Sequence, residues 1–525
     1  MTPTAYLVLS SVTVLLLSYI YYKLHPTPLP SIPYNLSAPR RAFGDLRAIK
    51  AQGRLIKEPS AAMFAVAKNL GSPIAQLLLT SFSSPIIVID DPREVEDVLV
   101  RRNREFDRSP LTTRFFQPML PACTIAQLTT PALRAQKRLW SDVMSNDFLK
   151  RVVAPNIREA ARELVELWGL KAEQAGGEQP FEVGVDFEDA ALDAICVAVL
   201  GLKMGVTRGQ IDKVRGEMTG GHDSEAEDPF ADTRSSAAIL RKTLKYLNDI
   251  VDAGFTSVWP EFAFWRIRMS PAYRRFKKIS DNEMQRLMAG ACERFQRLEA
   301  LDGETAGEEL DTCAMDLVLR REIITARKTG EVKSDPTRDP AMLQELLLFL
   351  LAAAFPGPEL PSAADIVNTD IPYLDAVIEE TVRVVATAGI IARITVVDTE
   401  VLVAVREDIR SATSQAAQAK RTRGGLDGDS GHDLHLFEPR RWLTRDETQG
   451  GKEVFDAFAL PALGFGGGLR GCFGKRLAMQ ELRILIALLV LKFEFLPLPE
   501  KVASMEAEEK LFRRPKTCHV KLRAL

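Results

Sequence analysis

The chain has 525 residues, 46% hydrophobic and 26% charged, with a net charge of -2. This composition supports a large core, and without an excess of basic residues nothing in it argues for a nucleic-acid partner. Six cysteines (Cys123, Cys196, Cys292, Cys313, Cys472, Cys518) are scattered with no C-x-x-C pair or Cys/His cluster. That spacing argues against a disulfide framework or a structural zinc site, and five of them read as small buried hydrophobes.

In chain order, Thr4 to Tyr22 is a 19-residue uncharged stretch closed by Lys23, with Arg40, Arg41 and Arg47 beyond. A helix of that length can cross a bilayer. The basic residues on its C-terminal side place the body of the protein in the cytosol. A cleaved signal peptide is the rival, but no basic residue precedes the apolar run and no A-x-A site follows it. Residues 1–24 are thus read as a transmembrane anchor and 25–40 as a proline-rich linker. The linker opens HPTPLPSIP and is expected to hold the body, residues 41–525, off the membrane. Asn35-Leu36-Ser37 fits a glycosylation sequon that would be silent on a cytosolic face.

Three-and-four apolar spacing predicts helices over Ala160–Leu170, Thr233–Ala253 and Asp281–Leu298. Short strands are predicted at Pro85–Asp90, within Thr395–Val405 and at Val520–Leu522. The balance is mainly α with minor β. Gly205–Ala231 and Ser411–His435 read as solvated loops. Trp259–Lys278 joins Trp259, Phe262, Phe264 and Trp265 to six basic residues. It reads equally as a segment dipping into a membrane interface and as a helix connection with its aromatics turned inward.

The chemistry is carried by Phe465–Gly474, FGGGLRGCFG. Gly466 to Gly471 fits G-x-G-x-x-G, but no βαβ unit or later acidic residue supports a dinucleotide site. Gly474-Lys475 lacks the first Gly and the Ser or Thr of a P-loop. The third reading is a loop that presents Cys472 to a metal. Glycines let backbone approach a flat group, and a helix running from about Gly474 to Leu491 lends its positive end to a thiolate. That helix is apolar almost all round and so expected to be buried. Phe465 and Phe473 are expected to shield the sulfur.

Phe465, Gly468, Arg470, Cys472 and Gly474 fill the fixed positions of F-x-x-G-x-R-x-C-x-G, and the chain here resembles the cytochrome P450 family of the fungal, membrane-anchored kind. The resemblance implies a mainly α haem-thiolate fold, a single large haem domain behind the N-terminal helix. It implies haem (iron protoporphyrin IX) with Cys472 as axial iron ligand and Arg470 on a haem propionate. Glu380-Thr381-Val382-Arg383 matches the family's E-x-x-R, and Phe437–Trp442 (FEPRRW) its later arginine segment, with Arg441 completing a Glu380–Arg383–Arg441 network. Arg393 stands where the family often has a propionate-binding arginine. Leu133–Trp140 resembles the W-x-x-x-R helix with Leu133 for Trp and Lys137 for Arg, so Lys137 or Arg138 is the candidate there.

The resemblance further implies insertion of one oxygen atom from dioxygen into an apolar, lipophilic substrate. An NADPH-dependent, membrane-bound reductase would supply electrons, and the protein would sit on the endoplasmic reticulum membrane. Substrate contacts are expected from Phe106–Thr124 and Leu240–Trp265. The chain departs from the family at its oxygen-activating helix, Leu343–Ala354. Phe355 and Pro356 stand where an acid and an alcohol normally manage protons, and the usual Pro-Lys-Gly turn after Val405 is missing. A thiolate ligand favours O–O cleavage, but poor proton delivery leaves alternatives open: a catalytically impaired or vestigial haem protein, peroxide-driven or rearrangement chemistry, or a distal water network that compensates. A nicotinamide-binding oxidoreductase using Gly466–Gly471 is the remaining alternative.

Overall fold

The computed structural model describes residues 3–56, 58–79, 84–177, 179–218, 236–257, 260–302, 312–329, 335–352, 363–385, 390–395, 402–406, 436–459, 463–504, 506–509 and 513–525. Its principal helices are α1 (Pro3–Leu24), α2 (Leu46–Ile56), α3 (Pro59–Lys68), α4 (Pro131–Leu139), α5 (Ala154–Gln174), α6 (Gly184–Leu200), α7 (Val206–Met218), α8 (Ser236–Thr256), α9 (Pro260–Met269), α10 (Pro271–Asp302), α11 (Ala314–Thr329), α12 (Pro340–Ala352), α13 (Pro372–Val385) and α14 (Lys475–Lys492). The strands that matter below are β1 (Ile74–Leu77), β2 (Ile86–Ile89), β3 (Phe106–Arg108), β4 (Ile390–Thr395) and β5 (Leu402–Arg406). The architecture is mainly α with minor β, as the residue pattern implies. The described chain divides into two compact units, one of residues 1–111, 379–472 and 507–514, the other of 112–378, 473–506 and 515–525.

In the first unit these five strands form one sheet in the order β1-β2-β5-β4-β3. The β2–β5 pairing is parallel and the others antiparallel. The predicted strand at Pro85–Asp90 is β2, whose four residues are all buried. Buried on both faces, such a strand reads as a continuous apolar run. One side of the sheet packs Ile87 and Ile89 with Val95, Val98, Leu99, Phe106 and Leu463. The other packs Ile86 and Val88 against Phe64, Val66 and Ala67 of α3.

The proline-rich stretch is not a free spacer. The buried Gln76 side chain accepts a hydrogen bond from Leu29 N–H (2.8 Å) and donates to the Leu29 and Ile32 carbonyls (2.8 and 2.7 Å). Its backbone N–H donates to Pro33 O (2.8 Å). Leu29 and Ile32 pack against the Ile87–Leu463 cluster, so proline-imposed extension becomes an extra layer along β1. Helix α1 leaves Leu15, Leu17, Tyr21 and Tyr22 exposed. Among the described residues, no helix is long and apolar enough to cross a membrane.

In the second unit, α5 is the hub. Its Leu164, Leu167 and Trp168 are fully buried with Ala190, Ile211, Leu485, Phe493 and Leu522. The predicted helices over 160–170 and 281–298 lie within α5 and α10, and that over 233–253 coincides with α8 from Ser236 onward. The Val520–Leu522 strand is instead two short ones, His519–Val520 and Leu522–Ala524, each pairing with a different partner strand. Gly205–Ala231 is corrected in its first half. Val206–Met218 is helical because the buried Asp193 carboxylate caps it from α6, accepting from Val206 N–H and Thr207 N–H (3.0 and 2.8 Å). Residues 219–231 and all of Ser411–His435 lie outside the described residues.

α14 is also corrected: it is buried on one side, through Ile484, Leu485, Ala487, Leu488 and Leu489, while Val490 and Leu491 are exposed. Its apolar residues exceed what one packed face can cover. The same buried side carries Glu481, whose carboxyl is pushed up to about 8 by burial. A carboxyl raised above its unfolded value of about 4.3 leaves the folded state most stable below that value. Stability then declines as pH rises towards the folded one. Glu481→Gln is therefore expected to gain stability over the wild type progressively between pH 4.3 and about 8, with a constant difference above, measured by urea denaturation at a series of pH values.

Candidate active site

The cysteine loop is built on glycines that need their lack of a side chain. Gly466 and Gly468 have φ of 66° and 64°, a left-handed region that other residues enter at a cost. A Cβ on Gly468 would overlap the Leu99 carbonyl oxygen, and one on Gly464 would overlap Val382 of α13. Gly466 N–H donates to Leu463 O (2.7 Å), and Cys472 N–H to Phe465 O (2.8 Å). The loop is thus closed on itself and seated on the first unit's core. Gly474 is the N-cap of α14, and its carbonyl accepts from Ala478 N–H (3.0 Å).

Cys472 is exposed, whereas the other five cysteines are buried or half-buried. The shielding expected from Phe465 and Phe473 is not met by the protein by itself, since a ligand thiol needs an open side. Arg470 is buried, with its Nε 3.7 Å from Asp107 Oδ1, beyond hydrogen-bond distance. Burial pulls its pKa below the ordinary value, against the opposing charge of Asp107. An exposed thiol two residues from a buried guanidinium fits a haem, for which Cys472 would hold the iron and Arg470 an acidic side arm.

The three residues of the charged network do meet. Glu380 is fully buried, and its carboxylate accepts from Arg383 Nε (2.7 Å) and Nη2 (2.8 Å), the Glu438 N–H (2.8 Å) and Trp442 Nε1–H (3.0 Å). Arg441 Nε stands 3.5 Å away. Arg383 and Arg441 both also donate to Leu436 O (3.2 and 3.4 Å). Burial raises the Glu380 pKa, but the bonds from Arg383, Glu438 and Trp442 outweigh it and leave the group below the ordinary carboxylate range. Trp442 was legible in FEPRRW but its role was not, because an indole inside a charged cluster leaves no periodic signal.

In the second unit, Glu345 of α12 is buried. It accepts from Thr124 N–H (2.9 Å), Thr124 Oγ1 (2.8 Å) and Gln136 Nε2 (3.1 Å). Burial raises its pKa, opposed by the Thr124 bonds and then by the charge of Lys137. Lys137 is near enough for its charge to be felt at Glu345, and Arg138 is exposed at the end of α4. Arg393 lies in β4 opposite Arg108 of β3 and Val403 of β5; its side chain lies outside the described part, as do Phe355 and Pro356. The two expected substrate-contact stretches touch through Phe115 and Phe264, edge to face at 6.4 Å. Phe264 is buried, as an inward-turned aromatic would be, while Phe262 and Trp265 stack at 5.6 Å on the exposed side of α9. Trp259 lies outside the described residues.

The Cytochrome P450 family model matches residues 52–293 and 434–522, more than half of the chain. This chain belongs to the cytochrome P450 family. Among curated relatives it is 27% identical to the cytochrome P450 monooxygenase TRI13 of Fusarium sporotrichioides, over 98% of each chain. It is 28% identical to the cytochrome P450 monooxygenase xilC of Penicillium rubens, over 97% of this chain and 95% of the relative. Among solved structures, a cytochrome P450 (CYP102L1) superposes with a TM-score of 0.62 at 15% identity, covering 95% of this chain and 100% of the other. The fold is that of the family, and the protein is an oxidoreductase of the P450 type. The match with TRI13 extends over 598 positions, more than this chain's 525 residues, so the relative carries residues with no counterpart here.

Two substitutions test the geometry. Glu380→Gln leaves two buried guanidiniums facing a neutral amide and is expected to cost about 3–5 kcal/mol at pH 7. A folded pKa below the unfolded one gives stability that is present above about pH 4.3 and lost as pH falls through the folded value. The difference from wild type in urea denaturation should therefore shrink at low pH. Gly468→Ala meets both a positive φ and the Leu99 carbonyl and is expected to lower the melting temperature by several degrees, about 1–3 kcal/mol. A melting temperature unchanged from wild type would show that the loop does not lie on residue 99.

Proposed function

We propose that this P450 is a haem-thiolate monooxygenase that inserts one oxygen atom from dioxygen into a lipophilic organic substrate. Electrons would come from a membrane-bound, NADPH-dependent reductase. The observation that carries this reading is Cys472, the exposed cysteine of the six, held by backbone bonds at the tip of a glycine loop beside the buried Arg470. Haem, when bound, supplies the oxygen-transfer chemistry. The chain's own contribution is to ligate through Cys472, neutralise an acidic side arm through Arg470, and hold both from a scaffold fixed by Glu380. From the sequence features alone, an uncharged Thr4–Tyr22 closed by Lys23 with further basic residues beyond, we also propose a single-pass anchor in the endoplasmic reticulum membrane with the body on the cytosolic side.

A second reading, a haem-binding relative with impaired turnover or with peroxide-driven or rearrangement chemistry, is favoured by one specific observation. The family model leaves residues 294–433 unmatched. That gap contains α12 and the sequence positions Phe355 and Pro356, where neither side chain can relay a proton.

The deciding experiment is the reduced, carbon-monoxide-bound difference spectrum of the full chain, followed by turnover with a reductase and with peroxide. A strongly red-shifted Soret band that disappears in Cys472→Ser, with reductase-driven product, is the expected result. The band with peroxide-driven product only selects the second reading. A band that survives Cys472→Ser would sink both.

A further inference from the structure

Two helices of the second unit are joined by a ladder that the assigned site does not use. Gln136 and Trp140 stand four residues apart at the end of α4, and Glu345 and Phe349 four apart on α12; such pairs share a helix face. Gln136 Nε2 donates to Glu345 Oε2 (3.1 Å), and one turn on the Trp140 ring lies against Phe349, centroids 4.8 Å apart and planes tilted by 30°. The ladder does not end there. Phe349 meets Phe473 edge to face, centroids 6.1 Å apart, and Phe473 is bonded through the chain to Cys472.

Trp140 is an odd choice for a core. It is 1% exposed, and its Nε1–H meets no hydrogen-bond acceptor among the described residues. A buried donor left unmade is unfavourable, so stability by itself favours a ring without the N–H. An aromatic ring is what the position uses: it fills the space between the end of α4 and Phe349.

We propose that Trp140 is a positioning residue for the iron ligand. Its ring clamps Phe349, Phe349 sets the ring of Phe473, and Phe473 fixes the backbone from which the Cys472 thiol projects. The Gln136–Glu345 bond keeps the two helices in the register that brings the rings together. The proposal rests on the haem-thiolate reading for its consequence but not for its geometry.

The test uses the full chain with Trp140→Ala, Trp140→Phe and, as a control for general destabilisation, Leu164→Ala in the α5 core. In haem-loaded protein, Trp140→Ala is expected to convert most of the red-shifted carbon-monoxide band to the blue-shifted form that lacks a thiolate. In haem-free protein, hydrogen exchange across residues 465–474 is expected to quicken about fivefold or more, as local opening becomes easier. Trp140→Phe keeps a ring and should resemble wild type in both. Leu164→Ala should lower the melting temperature without moving either. Should Trp140→Ala fail to fold, Phe349→Leu, which removes the middle ring, is read the same way. Wild-type behaviour in Trp140→Ala, or the same spectral change in Leu164→Ala, overturns the proposal. If the wild type itself shows no thiolate band, the haem reading falls, and the exchange rates still decide whether Trp140 holds the loop.

Discussion

The first unit is organised around one buried carboxylate. Glu380 accepts four hydrogen bonds from three other residues and faces a second guanidinium at 3.5 Å. Burying a carboxylate without partners is prohibitively unfavourable, and burying a half-satisfied network is little better. Here the bonds outweigh the burial, since the group stays more acidic than usual. The result ties Leu436–Trp442 to the end of α13. Next to Glu380 and Arg383 on the same helix, Val382 is the floor on which Gly464 rests. A single charged cluster thus fixes where the cysteine loop begins, which gives a costly ionic core a geometric purpose.

The loop itself was legible because its requirements are written as residue types. Positive φ and close approach demand glycine at Gly466 and Gly468, and a thiol ligand demands Cys472. The E-x-x-R pair was legible for a similar reason, since Glu380 and Arg383 lie on one helical turn. Gly464 and Gly467 were less so. Their need for a bare Cα comes from Val382 and Val100, residues distant in sequence. Asp107 was missed altogether, because nothing in β3 announces that Arg470 will come near it.

The second unit shows the other limit of sequence reading. Gly205 to Met218 looks like a polar loop, and becomes a helix because Asp193 of α6 satisfies its first amides. Glu345 lies within an apolar run, where one carboxylate is easily taken for a surface residue. In the fold it is buried and binds Thr124 and Gln136. Both outcomes depend on a partner supplied by tertiary packing, the kind of override that local propensity cannot register. The proline-rich stretch is the same case in the first unit: its composition gives the extension, and Gln76 gives the docking.

That docking bears on how the protein can be cut. Leu29 and Ile32 pack against the buried cluster that contains Ile87, Ile89 and also Leu463, the residue from which the cysteine loop springs. Trimming the chain within residues 1–25 removes the apolar helix and leaves this layer in place. Trimming past Pro33 strips an outer course of side chains from the sheet, leaves the Gln76 amide unmet, and uncovers a sticky apolar strip beneath the loop. For anyone preparing a shortened form, the safe boundary is set by a glutamine in the first strand and lies beyond the last residue of α1.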